Sequence, residues 1–260
     1  MVENRVKLQL RNGTPTFGLW ISLPCPSGVE VLASYGWDWL LIDTEHGPAT
    51  PETTENMIRA AERHGVVPIT RVAANDPALI KQALDRGALG VLVPLVNSAA
   101  EARAAVRAAK YPPEGIRGVA GTRANRFGLD LPQYFAAWND QVLVACQVET
   151  ADALEQVEEI AAVPGLDVLF IGPNDLSANL KVFRQFDHPA FTSAVQRIQR
   201  AAQAHGVAVG YMAAGADEAL ACAARGFLFI GAGSDARLLG GAAATLIGAI
   251  RAGIAAPARP

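Results

Sequence analysis

The sequence predicts an α/β chain folded as a (β/α)8 TIM barrel, with residues 1–260 forming one domain. Three observations carry this. Eight short apolar, strand-like runs follow one another, most of them separated by a helical pattern, the alternation that builds a closed parallel sheet with helices outside. Several helical stretches stop at glycine, as in His64-Gly65, Arg86-Gly87, His205-Gly206 and Arg225-Gly226, where the chain needs a left-handed cap. Charged side chains gather at the C-terminal ends of the strands, the face on which such barrels carry chemistry. An open doubly wound sheet is the alternative, weakened by the lack of a Gly-x-Gly-x-x-Gly turn after the first strand.

Taken in order, residues 1–15 hold a short amphipathic opening and a turn at Asn12-Gly13. Strands are expected at 16–23, 39–43, 66–71, 90–96, 142–149, 166–171, 207–212 and 227–231, because a strand covered on both faces is apolar nearly throughout. Helices are expected at 52–64, 77–86, 99–110, 151–162, 191–204, 217–225 and 236–251. Residues 59–66 (RAAERHGV) and 200–207 (RAAQAHGV) repeat one helix-to-strand solution. Segment 111–131 breaks the rhythm: it is long, rich in Gly and Pro, and carries Arg117, Arg123 and Arg126. Loops of that length inside a domain are usually functional. No linker divides the chain, and the Ala-rich tail 255–260 is expected to fray.

Bulk properties narrow the function. A hydrophobic fraction of 51% against 18% charged residues suits a large buried core. A net charge of −3 provides no field for nucleic acid or anionic lipid. Cys25, Cys146 and Cys222 are too scattered for a disulfide framework or a thiolate metal site. The N-terminus has no apolar core for a signal peptide, and the apolar run 238–250 is too short to span a bilayer. A cytoplasmic protein is expected, without nucleic-acid or membrane partners.

The strand ends supply the candidate site. Residues 39–48 (WLLIDTEHGP) run from a buried strand into Asp43, Glu45 and His46. A carboxylate three residues from a histidine can orient an imidazole base, and a capped turn explains the same pattern equally well. Arg71 ends the third strand, suited to hold a carboxylate or a developing oxyanion, or to pair with Asp43 or Glu45. Gln147 and Glu149 end the fifth strand, and Asn174 and Asp175 follow the sixth. Glu149 and Asp175 on neighbouring strands repel unless one is protonated or a cation lies between them. Oxygen ligands with open positions suit Mg²⁺ or Mn²⁺. Helix caps are the competing reading for both. His64 and His205 precede helix-ending glycines and His188 looks like a turn residue, leaving His46 as the candidate base. The lysines (Lys7, Lys81, Lys110, Lys181) all fall in helical or loop text, which disfavours imine chemistry.

Several long motifs in order, WLLIDTEHGP (39–48), RVAANDPALIKQALDRG (71–87), YPPEGIRGV (111–119), QVET (147–150) and FIGPNDLS (170–177), resemble the HpcH/HpaI aldolase family of class II pyruvate aldolases. The resemblance implies a homo-oligomeric (β/α)8 barrel, commonly a hexamer, whose C-terminal helix takes part in packing. It implies a divalent metal (Mg²⁺, Mn²⁺ or Co²⁺) on Glu149 and Asp175, and a 2-oxo acid touched by Gln147, Asp175 and the backbone near Asn174. Arg71 would stabilise the enolate and the aldehyde oxygen, His46 would be the base, and Asp43 would orient it. Asp85 would increase its basicity from a neighbouring subunit. The implied reaction is reversible cleavage of a 4-hydroxy-2-oxo acid, of the 2-keto-3-deoxy sugar-acid or diacid type, to pyruvate and an aldehyde. An acyl-CoA lyase of the citrate-lyase type and a non-catalytic 2-oxo-acid-binding barrel are the alternatives. Residues 23–28 (LPCPSG) and 181–187 (KVFRQFD) depart from the family pattern, the latter adding bulk and charge near Asp175, and 123–128 (RANRFG) resembles the sugar-diacid branch.

Overall fold

Eight parallel strands close into a barrel in chain order, the last pairing with the first, in the computed structural model, which describes residues 3–255. They are β1 Thr16–Ile21, β2 Trp39–Asp43, β3 Val67–Arg71, β4 Gly90–Val93, β5 Leu143–Val148, β6 Val168–Ile171, β7 Ala208–Ala213 and β8 Phe229–Ser234. All eight expected strands form, their ends displaced by a few residues at most. Around them lie α1 Arg5–Arg11, α2 Pro26–Ala33, α3 Pro51–Arg63, α4 Pro77–Asp85, α5 Ala99–Ala109, α6 Leu131–Gln141, α7 Ala151–Glu155, α8 Val157–Ala161, α9 Pro173–Asn179, α10 Pro189–His205, α11 Ala216–Ala224 and α12 Asp235–Ala255.

The alternation of a strand sends every second side chain inward. Trp20, Trp39, Leu41, Ile69, Phe170 and Phe229 fill the barrel, while Leu40, Ile42, Val144 and Ile171 pack under the helices. Gly18 makes room for this filling, since a Cβ there would stand 2.0 Å from the Trp39 ring. The N-terminal end is sealed by α1. Its Val6 and Leu10 join the interior cluster, and Lys7 Nζ donates to Val142 O at 2.5 Å and Asp167 Oδ2 at 2.9 Å.

Three helices go beyond the sequence expectation. α2, α6 and α9 each have proline in their first two positions, as the expected α3, α4 and α10 do, a residue suited to a helix start. The helix expected at 151–162 is broken at Gln156 into α7 and α8. Segment 111–131 joins the end of α5 to α6, so it lies at the sealed end, away from the strand C-termini. Its Arg117 is buried, 4.7 Å from the Tyr111 ring and 4.4 Å from that of Trp138, and donates to Asp85 at 2.7 Å. Arg123 pairs with Glu62. The tail expected to fray, 255–260, lies from residue 256 onward outside the described residues.

The C-terminal helix corrects another expectation. The apolar run 238–250 is only part of α12, which as a whole is long and apolar enough, by length and composition alone, to cross a bilayer. Its side chains from Ala236 to Ile254 are exposed, including Leu239, Leu246 and Ile250.

Candidate active site

β2 and β3 pair in a register that sets Asp43 directly beside Arg71. Both continue the inward alternation of their strands, 39–41–43 and 67–69–71, and so reach the open end of the barrel. Arg71 grips Asp43 with two bonds, Nε to Oδ1 at 2.9 Å and Nη2 to Oδ2 at 2.5 Å. Glu45 Oε2 stands 2.9 Å from Arg71 Nη1 as an ion pair without hydrogen-bond alignment. The Trp20 ring lies 5.2 Å from the guanidinium. Burial opposes the charge of Asp43, but the hydrogen bonds and positive charge of Arg71, with two backbone N–H groups, hold its carboxyl below the ordinary range. Burial lifts Glu45 above that range in spite of Arg71.

The Asp43–His46 contact expected from their spacing is not formed. Asp43 Oδ1 instead accepts the backbone N–H groups of Glu45 at 3.0 Å and His46 at 3.2 Å. Asp43 thus closes the turn and fixes Arg71, combining two of the alternatives the sequence left open. The His46 imidazole is exposed at the mouth and makes no hydrogen bond among the described residues.

Gln147 and Glu149 continue the inward alternation of β5. Glu149 is 3% exposed. Its Oε1 accepts Leu95 N–H at 2.9 Å and its Oε2 accepts Gln147 Nε2 at 2.6 Å. Leu95 holds a left-handed φ of 51° as it donates, a conformation unusual for a side chain of its size. Burial raises the Glu149 carboxyl above the ordinary range; the Leu95 N–H opposes this, and the charges of Asp175 and Glu45 add to it. The cap of α7 is Thr150, not Glu149. Asp175 sits in the first turn of α9 and faces the mouth, with no side-chain hydrogen bond among the described residues.

A cavity of ≈ 450 Å³ opens at the strand C-termini, with Trp20, His46, Arg71, Gln147 and Asp175 on its walls and Glu149 hydrogen-bonded to Gln147 behind them. A second cavity, ≈ 480 Å³, lies by the 123–129 turn at the sealed end, where Arg123 and Glu62 already satisfy each other. The mouth has the chemistry. Its donor set fits a hard divalent cation. Glu149 and Asp175 are oxygen donors without a salt-bridge partner among the described residues, and buried Gln147 Oε1 accepts no hydrogen bond. No group of three or more His, Cys, Asp or Glu has metal-binding geometry among the described residues. A two-carboxylate site completed by water and a chelating substrate matches that count, as Mg²⁺ and Mn²⁺ prefer.

Residues 16–242 match the HpcH/HpaI aldolase/citrate lyase family. The chain belongs to that family. It is 40% identical to the 4-hydroxy-2-oxo-heptane-1,7-dioate aldolase of Escherichia coli, over 94% of each chain. It is 45% identical to the hydroxypyruvate/pyruvate aldolase of Sagittula stellata, over 74% of this chain and 76% of that one. An HpcH/HpaI aldolase/citrate lyase family protein from Burkholderia cenocepacia superposes with a TM-score of 0.91 at 38% identity, covering 95% of this chain and 99% of that one.

Within this HpcH/HpaI barrel, Asp43, Arg71, Gln147, Glu149, Asn174, Asp175 and His46 meet at one end. Asp85 does not join them. It closes α4 at the opposite end and pairs there with Arg117. Trp20 and Leu95 are among the mouth residues that were not candidates. Trp20 could have been found from the inward alternation of β1, while Leu95 carries no signal, since its role lies in its backbone N–H.

Proposed function

We propose that this HpcH/HpaI family member is a divalent-metal-dependent aldolase. It reversibly cleaves a 4-hydroxy-2-oxo acid to pyruvate, or a related 2-oxo acid, and an aldehyde. The observation that carries the reading is the buried Glu149 beside the mouth-facing Asp175, lacking a cation of their own, with the braced Arg71 on the same cavity. In cleavage the C3–C4 bond breaks, the C4 hydroxyl loses its proton to become the aldehyde carbonyl, and the electron pair passes into the enolate of the 2-oxo acid. Protonation at C3 then gives the methyl group.

Glu149 and Asp175 would hold Mg²⁺, Mn²⁺ or Co²⁺, which supplies Lewis-acid polarisation of the 2-oxo group. Arg71, fixed by Asp43 and Glu45, directs N–H donors at the substrate carboxylate and the developing oxyanion. Gln147 and the turn at Asn174 orient the acid. His46 takes the C4 hydroxyl proton in cleavage and a methyl proton in the reverse direction, a role worth about 10²–10⁴-fold. Imine chemistry finds no support. Lys7 is buried and its pKa is lowered by burial in spite of Asp167, but it seals the far end of the barrel.

The exposed apolar face of α12 supports a homo-oligomer, which we place as a hexamer covering that helix. Asp85 reaches a mouth only if a neighbouring copy carries it there. The test of the reaction is methyl-proton exchange of pyruvate into D₂O with Mg²⁺, Mn²⁺ or Co²⁺, followed by an aldehyde panel. Metal-dependent exchange is expected. No exchange with any cation, alongside turnover of an acyl-CoA ester, would overturn the reading.

A further inference from the structure

The mouth carries two more guanidinium groups that the reaction above does not use. Arg184 comes from the loop after α9, and Arg237 from the first turn of α12. Both border the same ≈ 450 Å³ cavity as His46, Arg71 and Asp175. Among the described residues neither guanidinium makes a salt bridge or a side-chain hydrogen bond. Arg71 differs, being paired with Asp43 and Glu45, which hold it in place and leave part of its N–H donors for the substrate. Glu218 borders the cavity too, yet its Oε2 is committed to the backbone N–H of Ala214 at 2.6 Å.

The Arg184 loop is built rather than loose. Val182 is buried and donates its N–H to Ser177 O at 2.9 Å, and the Arg184 N–H donates to Ser177 Oγ at 3.0 Å. Ser177 Oγ in turn donates to Asn174 O, beside Asp175. Phe186 packs on Phe191 with ring centroids 5.3 Å apart. Between these anchors Lys181 and Arg184 adopt left-handed φ values of 61° and 57°, which non-glycine residues rarely hold. A strained backbone that persists because its surroundings fix it is a mark of a functional position. Arg184 is exposed and follows α9, the helix that carries Asp175, so its charge lies on that side of the mouth, with the exposed Arg237 on the same cavity.

We propose that Arg184 and Arg237 are specificity-determining residues that hold an anionic group at the far end of the aldehyde half of the substrate. What these two side chains add to the diacid class already implied by the resemblance is the place where the second acid, a carboxylate or a phosphate, is read. Guanidinium suits either anion through paired N–H donors. The inference rests on the aldolase reading above.

The experiment is aldol addition of pyruvate with Mn²⁺ to succinic semialdehyde, glyceraldehyde 3-phosphate and the neutral butyraldehyde and glyceraldehyde. The readout is the ratio of kcat/KM for charged over neutral acceptors, in the wild type, Arg184→Gln, Arg237→Gln and Arg184→Lys, with thermal melts to confirm folding. The wild type should favour one charged acceptor by at least about ten-fold. Each Gln variant should lower the ratio by about ten-fold, the low end for a charge-assisted contact at a wet rim, with the loss in KM. Arg184→Lys should restore part of it. Loss confined to the carboxylate or to the phosphate acceptor upholds the proposal and names the anion. Pyruvate exchange with no preference for charged acceptors, or a ratio unmoved in both Gln variants, overturns this proposal alone. Absence of exchange overturns the aldolase reading and this proposal with it.

Discussion

Gly172→Ala isolates the Glu149 carboxylate from the fold around it. The backbone there has φ −84° and ψ 95°, which alanine adopts without strain, so stiffening the unfolded chain favours the variant by about 0.4–1 kcal/mol. The added Cβ would stand 2.5 Å from Glu149 Oε2 and 3.2 Å from Glu149 Cβ. To reach ordinary contact the carboxylate must withdraw by roughly 1 Å, which no longer permits both the 2.6 Å bond from Gln147 and the 2.9 Å bond from Leu95. Losing one such charge-assisted bond costs about 1.5–3 kcal/mol. The net cost to folding is therefore about 0.5–2.6 kcal/mol, carried mostly by the movable carboxylate end of Glu149. Cation binding is affected as well: displacing a ligand or its support typically lowers affinity about 10–100-fold. Titration calorimetry with Mn²⁺ measures that loss, and a thermal melt the stability. Gly215→Ala is the control, since nothing lies within 4 Å of a Cβ there. Unchanged Mn²⁺ affinity in Gly172→Ala would refute the assignment of Glu149 as a ligand.

Three further outcomes follow from the same geometry. His46→Ala should lose pyruvate methyl-proton exchange by about 10²–10⁴-fold while still binding Mn²⁺; exchange at the full rate would remove His46 as the base. Burial holds the Glu149 carboxyl above its ordinary 4.5, so the metal-free folded protein keeps a proton there that the unfolded chain has lost. The stability this contributes is full below pH 4.5 and is lost as pH rises through the raised value. Mn²⁺ must displace that proton, so its affinity should climb across the same window and then level off, as calorimetry in two buffers would record; affinity flat from pH 4.5 upward would contradict it. Leu246→Lys with Ile250→Lys on the exposed face of α12 should break the oligomer into smaller species by light scattering, whereas an unchanged mass together with lost vesicle binding would mean that the helix covers itself with lipid.

How much of the site the sequence shows depends on which physical rule places each residue. Asp43, Arg71, Gln147 and Glu149 were legible because each extends the two-residue alternation of a strand whose apolar members are already inside. α2, α6 and α9 were not, although they open on proline as the legible α3, α4 and α10 do, and the length of segment 111–131 pointed to function without saying at which end of the barrel it lies. Arg117 reads as a free charge in that loop, yet Tyr111 of the same segment and Tyr134 and Trp138 of α6 surround its guanidinium. The partner of Asp43 was the subtlest case. Spacing offered His46, three residues on, but a carboxylate at the start of so tight a turn meets the backbone N–H groups of the turn before it meets the side chain. Register then decided the rest: β3 brings Arg71 to the same level as Asp43, and two charge-assisted bonds outweigh anything an exposed imidazole could offer. The consequence is functional. His46 is left without a fixed acceptor in the chain, so the control of its basicity has to come from what fills the mouth, or from a second copy that brings Asp85 to it.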